Sequence, residues 1–287
     1  MRRRLTPYLF LLPFFIPFLV FYVASILYAV YLSLFVQHGL RPPIYVGIQN
    51  YLRVLSDANF GSSLLTILKF GVIQIPLMLL IALLLALYLD GLKSAGWRAF
   101  LSGSYFLPYA MPSVIGGLLW GYLYSKGISP FDQVLSGLGL KLNFLGSRGL
   151  LWSLGNIITW TWTGYNMVIL YAALRSVPAE VYEAARIDGA TSGQVVRYIK
   201  LPMVAPALLL AALFSVIGTL QIFAEPFVLQ SLTYVPTDLT PNLYIYVTAF
   251  NYGNFNYAAA LAVSLSVITF IFSLAMLWLQ SWQRRRW

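Results

Sequence analysis

The residues best suited to engaging another molecule form one polar island: Glu183-Ala184-Ala185, then Asp188-Gly189-Ala190, then Leu201-Pro202, with long apolar runs on either side. Ser176 and Pro178 suit a helix start, with Glu180 and Glu183 near the positive end of the helix dipole. Gly189 is a natural stop, because glycine accepts a left-handed backbone. Thr191-Ser192-Gly193-Gln194 reads as a capping box that opens a second short helix, which Leu201-Pro202 closes. Two short helices joined at Asp188-Gly189 follow. The small side chains of Ala184, Ala185 and Ala190 let a partner backbone approach closely, and Glu183 and Arg186 offer charges for docking. The same pattern also suits an interfacial hairpin with no partner.

A second group is dispersed in apolar surroundings. Trp160, Trp162, Tyr165, Asn166, Thr219 and Gln221 fall near the middle of two apolar runs, with Phe223 and Glu225 further out. Aromatic platforms beside amide and hydroxyl groups suit a sugar, whose ring has an apolar face and a rim of hydroxyls. The competing account makes the aromatics interfacial belts and the amides interhelical glue. Residue by residue the glue account holds; as a cluster the positions favour a site. Glu225 is the only acid expected inside a span, a placement that would also serve a proton relay in a secondary transporter of a small polar solute. A membrane-embedded enzyme would want paired carboxylates or a metal cluster in the spans, and the sequence offers neither.

The elements that must hold these residues follow from composition. Of 287 residues, 60% are hydrophobic and 9% charged, with a mean hydropathy of +0.79. That leaves too little polar surface for a soluble globule, so the chain is an integral membrane protein. A bilayer core of about 30 Å needs about 20 apolar residues in a helix. Six stretches qualify: 8–32, 62–88, 100–124, 151–174, 204–229 and 257–281. They lack the apolar/polar alternation of barrel strands, which makes the class all-α and residues 1–287 a single domain, with a cytoplasmic loop at 175–203.

Basic residues set the orientation. With the N-terminus inside, the inner side holds Arg2, Arg3, Arg4, Lys93, Arg98, Arg175, Arg186, Arg197, Lys200, Arg284, Arg285 and Arg286, twelve of the 18. Arg41, Arg53, Lys69, Lys126, Lys141 and Arg148 are left outside, and both termini are cytoplasmic. The net charge of +10 therefore reflects topology and contact with anionic lipid; its dispersal through loops argues against nucleic acid. The first apolar run follows three arginines like a signal peptide, yet it outlasts the usual apolar core without a prompt small-residue cleavage site, and is expected to be a retained anchor. With no cysteine, disulfides, thiolate metal sites and cysteine nucleophiles are excluded. His38, the sole histidine, falls in an expected outer loop. The outer segments 33–60, 125–150 and 230–256 carry the Pro and Gly of turns, and Pro13, Pro17, Pro76, Pro108 and Pro112 are expected to bend their spans.

The string Glu183-Ala184-Ala185-x-x-Asp188-Gly189-Ala190, followed by Ile199-x-Leu201-Pro202, resembles the signature loop of ABC-importer permeases served by a binding protein. It lies after the fourth expected span, where such permeases carry it. Tyr45-Val46-Gly47-Ile48-Gln49-Asn50-Tyr51 resembles the first outer loop of the larger-type permease subunit of carbohydrate importers of the maltose or glycerol-phosphate kind. Phe106-Leu107-Pro108 and Ala249-Phe250 fit the same family. Val196 departs from a position that is commonly aromatic. Thr233-Tyr234-Val235-Pro236 replaces a Gly-Gly-Pro turn in an outer loop where a partner would touch.

The resemblance implies a multi-pass subunit of a bacterial or archaeal cytoplasmic membrane. It pairs with a second homologous permease, two ABC ATPase subunits and an extracytoplasmic substrate-binding protein. It is not an enzyme and binds no cofactor, ATP and Mg being held by the ATPase subunits; the chain has no phosphate loop of its own. Glu183, Ala184, Ala185, Arg186, Asp188, Gly189 and Ala190 would couple to the ATPase. Trp162, Tyr165, Asn166, Thr219, Gln221, Phe223 and Glu225 would line the substrate pathway. No cationic cluster is evident inside the spans, so a neutral sugar ranks above a glycerol-phosphate compound.

Overall fold

In the computed structural model the described residues are 2–37, 39, 41–139 and 142–284, and they are almost entirely helical. His38 lies outside them, as do Lys141, Arg285 and Arg286.

A run of apolar residues with strong helix formers and no internal charge leaves its backbone no better partner than itself, and long helices result. The first comprises α1 (Arg2–Phe18), a π turn at Leu19–Val23 and α2 (Ala24–Ser33). A short hairpin, β1 (Phe35–Val36) against β2 (Ile44–Tyr45), leads to α3 (Gln49–Ser56) and the 34-residue α4 (Ala58–Gly91). Next come α5 (Ala95–Ala110), α6 (Ser113–Tyr124), α7 (Pro130–Gly137) and α8 (Leu150–Arg175). Then α9 (Ala179–Ile187) and α10 (Ser192–Val195) precede a π turn at Val196–Lys200 that runs straight into α11 (Leu201–Leu220). The chain finishes with α12 (Ala224–Leu229), α13 (Pro241–Tyr246) with its π turn at Val247–Asn251, and α14 (Phe255–Arg284).

Among the described residues, four segments are long and apolar enough to cross a membrane: Phe10–Ser33, Ala58–Gly91, Ser192–Leu229 and Phe255–Trp278. The expected third span, 100–124, is not one straight helix. It breaks at Met111-Pro112, and α5 and α6 diverge by 94°. Pro112 disfavours the helical conformation in the residue before it, and Met111 adopts ψ 140°. α8 has 26 residues but is diluted by Trp, Thr and Asn.

A second correction concerns Leu201-Pro202, which closes nothing. The helix opened at Thr191 continues through the π turn, where the Leu201 N–H reaches back to the Val196 carbonyl. A proline in the first turn of α11 lacks an N–H where the ladder is already out of register, so no break follows. Among the described residues, segments 33–60, 125–150 and 230–256 also hold more helix than their Pro and Gly suggested. They contain α3, α7 and α13, the last capped by the Thr240 side chain with Pro241 in its first turn.

Three helices form the centre. Near one end, Ala82, Ala86 and Leu89 of α4 meet Met167, Leu170 and Leu174 of α8 and Val204 of α11, all buried. α5 lies so close to α8 that a Cβ on Gly164 would fall 1.9 Å from the Tyr105 carbonyl oxygen. At the other end, Asp57 accepts hydrogen bonds from Tyr257 (2.6 Å) and Tyr244 (2.9 Å) while capping α4, joining α4, α13 and α14. The Asn50 amide donates to the Ser33 and Phe35 carbonyls, and Asn256 donates to that of Leu32, which satisfies the orphan acceptors at the end of α2.

Candidate functional site

A cavity of about 380 Å³ opens between α4, α8, α11 and α12. All seven residues expected on the substrate pathway line it: Trp162, Tyr165, Asn166, Thr219, Gln221, Phe223 and Glu225. On α8 this follows from periodicity, since positions 158, 162, 165 and 166 share one face. Trp160, two residues off that face, turns away and meets Trp120 edge-on at 5.7 Å.

On the α11 side the geometry comes from a break. α11 ends at Leu220, and Gln221 and Phe223 leave the helical conformation before α12 restarts at Ala224. The interruption frees backbone groups at this depth, and the Asn242 amide satisfies one by donating to the Gln221 carbonyl at 2.9 Å. Glu225 follows in the first turn of α12, where the helix dipole favours a carboxylate, and it is buried. Among the described residues no cationic side chain pairs with it.

The remaining wall is aromatic and amide. Tyr109 stacks on Tyr165 with centroids 4.7 Å apart and meets Trp162 edge-on at 5.2 Å. The Asn166 amide donates to the Trp162 carbonyl, and that of Gln74 donates to Thr159 Oγ1. The side-chain oxygens of both Asn166 and Gln74 are buried and accept no hydrogen bond among the described residues. Gln74, Ser113 and Ser215 also line the cavity and were missed in the sequence. For Gln74 a signal existed: it is an uncharged amide inside the apolar run Phe70–Leu89.

The polar island folds as a separate exposed feature. Pro178 precedes the first turn of α9, and Gly189 ends the helix with φ 79°. The Ala190 N–H donates to the Ala185 carbonyl, and the Gly189 N–H to that of Arg186, which closes the last turn. Thr191 and Gln194 then form the expected reciprocal capping box. Glu183, Ala184, Arg186, Asp188 and Gly189 are exposed, while Ala185 and Ala190 are half-buried. Ile187, an apolar residue at the tip of α9, is 87% exposed. Beside it a shallow hollow of about 240 Å³ runs between Asp188-Gly189-Ala190 and the side of the next helix at Gln194 and Tyr198.

Behind the island, Lys200 pairs with Asp90 at the end of α4. The Tyr182 hydroxyl of α9 is buried beside them. Burial and the Asp90 charge push its pKa up, against the opposing effect of Arg175.

Residues 75–287 match the family described as the binding-protein-dependent transport system inner membrane component. The chain is 32% identical over 265 residues to the lactose transport system permease protein LacF of Rhizobium radiobacter, covering 88% of this chain and 87% of that one. It is 30% identical over 283 residues to the trehalose/maltose transport system permease protein MalF of Thermococcus litoralis, covering 97% and 94%. In fold it is similar to a chain in the crystal structure of a bacterial ABC transporter involved in the import of the acidic polysaccharide alginate. The TM-score is 0.84 at 21% identity, covering 98% of this chain and 96% of that one. A second structure of such a transporter, in complex with an alginate pentasaccharide-bound periplasmic protein, gives 0.84 at 22% identity, covering 96% and 93%.

Proposed function

From the premise that the chain belongs to the binding-protein-dependent transport system inner membrane components, we propose that it is the permease subunit of an ATP-driven importer of a mono- or oligosaccharide. The family is one of membrane transport components, and the chain is a multi-pass membrane protein. The single observation that carries the substrate class is the cavity, where the aromatic residues Trp162, Tyr165 and Phe223 line the same space as Gln74, Asn166, Gln221 and Glu225. Relatives named for lactose and for trehalose/maltose support a sugar in it.

The chain crosses the cytoplasmic membrane of a bacterium or archaeon six times as one domain, with both termini inside. At about 1.5 Å per residue, the 26 residues of α8 suffice for a crossing, and α5 with α6 form a bent one. The exposed α9 then lies in the cytoplasm and docks an ABC ATPase, one of two in the complex, which hold ATP and Mg. A second permease completes the pathway, and a binding protein delivers sugar from outside. Closure of the ATPase pair carries α9 with it, and the ion pair at Lys200 passes that movement to α4. The bundle thereby alternates between inward-open and outward-open states that bind sugar differently.

Glu225 supports one other reading. A buried carboxylate in the cavity with no cationic partner among the described residues is what a proton-coupled carrier would need. A gentle-detergent pull-down from native membranes separates the two. Recovery of an ATPase and a second permease, weakened by changes at Glu183 and Gly189, supports the importer; a chain that purifies alone points to the carrier.

A further inference from the structure

A second groove, of about 490 Å³, lies between the outer halves of α4 and α8. Lys69 and Arg148 line one end of it, and Ile73, Leu77 and Ile81 descend from Lys69 along α4. Both cations are exposed, neither makes an ion pair among the described residues, and no carboxylate lines the groove.

Their depth is fixed by the sequence. Between Lys69 and Asp90 lie 20 residues without a charge, a helical length of about 30 Å that matches the hydrocarbon core. Lys69 therefore marks one headgroup level and the Asp90–Lys200 pair the other. Arg148 sits just before the uncharged stretch Leu150–Leu174 of α8, at the same level as Lys69. The groove joins two cations at the headgroup level to an apolar channel. From Lys69 to Ile81 that channel is about 18 Å long, the reach of an acyl chain into one leaflet. Trp152, 70% exposed on the facing wall, is the residue type enriched at that interface.

We propose that this groove holds one anionic phospholipid, its phosphate between Lys69 and Arg148 and one acyl chain over Ile73, Leu77 and Ile81. The lipid braces the outer halves of α4 and α8, whose inner ends carry Asp90 and the segment leading to α9.

The test is native mass spectrometry of the intact complex in micelles containing equal phosphatidylglycerol and phosphatidylethanolamine. The wild type should retain phosphatidylglycerol selectively. The double variant Lys69→Gln/Arg148→Gln should retain it roughly 30-fold less, equivalent to about 1 kcal/mol for each cation. The charge-preserving Lys69→Arg/Arg148→Lys should retain it as the wild type does. Equal retention of the two lipids by the wild type, or undiminished phosphatidylglycerol on the Gln variant, overturns the assignment. So does a lipid-free wild type whose Gln variant loses the second permease, since the groove would then be a protein interface.

Discussion

The Lys200 ammonium lies 2.6 Å from Asp90 Oδ2, with the two side chains only 15% and 9% exposed. The pair ties the end of α4 to the π turn that joins the polar island to α11, the joint through which the proposed movement of α9 would pass. Removing one partner strands the other charge in a nearly dry place. Lys200→Met should lower stability by roughly 2 kcal/mol, under the ~3–5 kcal/mol of a fully buried pair. It should also lower transport per ATP hydrolysed. The swapped pair Asp90→Lys/Lys200→Asp should recover part of both. Thermal unfolding of the purified complex and the ratio of uptake to hydrolysis measure the two effects.

Gly164 allows α5 and α8 their closest approach. A methyl group there meets the Tyr105 carbonyl at 1.9 Å and the Phe106 Cα at 2.9 Å, both backbone atoms that no rotamer change can move. Gly164→Ala should cost at least the ~1–3 kcal/mol of an overpacked core and push α5 away from Tyr165. A loss of melting temperature much greater than that of Gly103→Ala, on the open face of α5, would bear this out.

The joint at Asp57 should respond to acid. Burial raises the pKa of Asp57, but hydrogen bonds from Tyr257, the Phe60 N–H, Tyr244 and the Asn59 N–H outweigh it and hold the carboxyl below its ordinary 3.8. A group lowered in the folded state stabilises above its unfolded pKa and loses that contribution as pH falls through the folded value. Asp57 should therefore add no slope to stability near neutrality and a loss below about pH 4. Melting temperature against pH should show that acid limb in the wild type and a shallower one in Asp57→Asn.

At Gly189 the backbone is left-handed and the space around it is open. Gly189→Ala meets strain alone, about 1 kcal/mol, and should transport nearly normally. Gly189→Asp adds a carboxylate to a turn that already presents Asp188 and, on the proposed docking role of α9, should uncouple hydrolysis from uptake while the complex stays assembled. Normal coupling in that variant would show that α9 is not the lever.

Much of this was legible in the sequence wherever a local rule decides the outcome. The left-handed stop at Gly189, the capping box at Thr191 and the shared face of Trp162, Tyr165 and Asn166 each depend on a few neighbouring residues. What escaped depends on partners distant in the chain. Pro112 breaks its span whereas Pro76 and Pro202 lie within helices, an outcome that the prolines and their neighbours in sequence do not decide alone. The glutamine of α4 joins the cavity only because α4 lies against α8, and the tyrosines that grip Asp57 come from residues 244 and 257, far beyond any local window. Trp160 was grouped with its neighbours by depth, but helical rotation separates it from them.

The most direct test of the account is uptake of labelled lactose, maltose and trehalose into proteoliposomes holding the complete complex, with the binding protein outside and ATP inside. Accumulation of at least one sugar that requires ATP, survives a protonophore and falls in Asn166→Leu is the predicted result. Uptake that ignores ATP and collapses with the proton gradient would contradict it and make Glu225 the centre of a different mechanism.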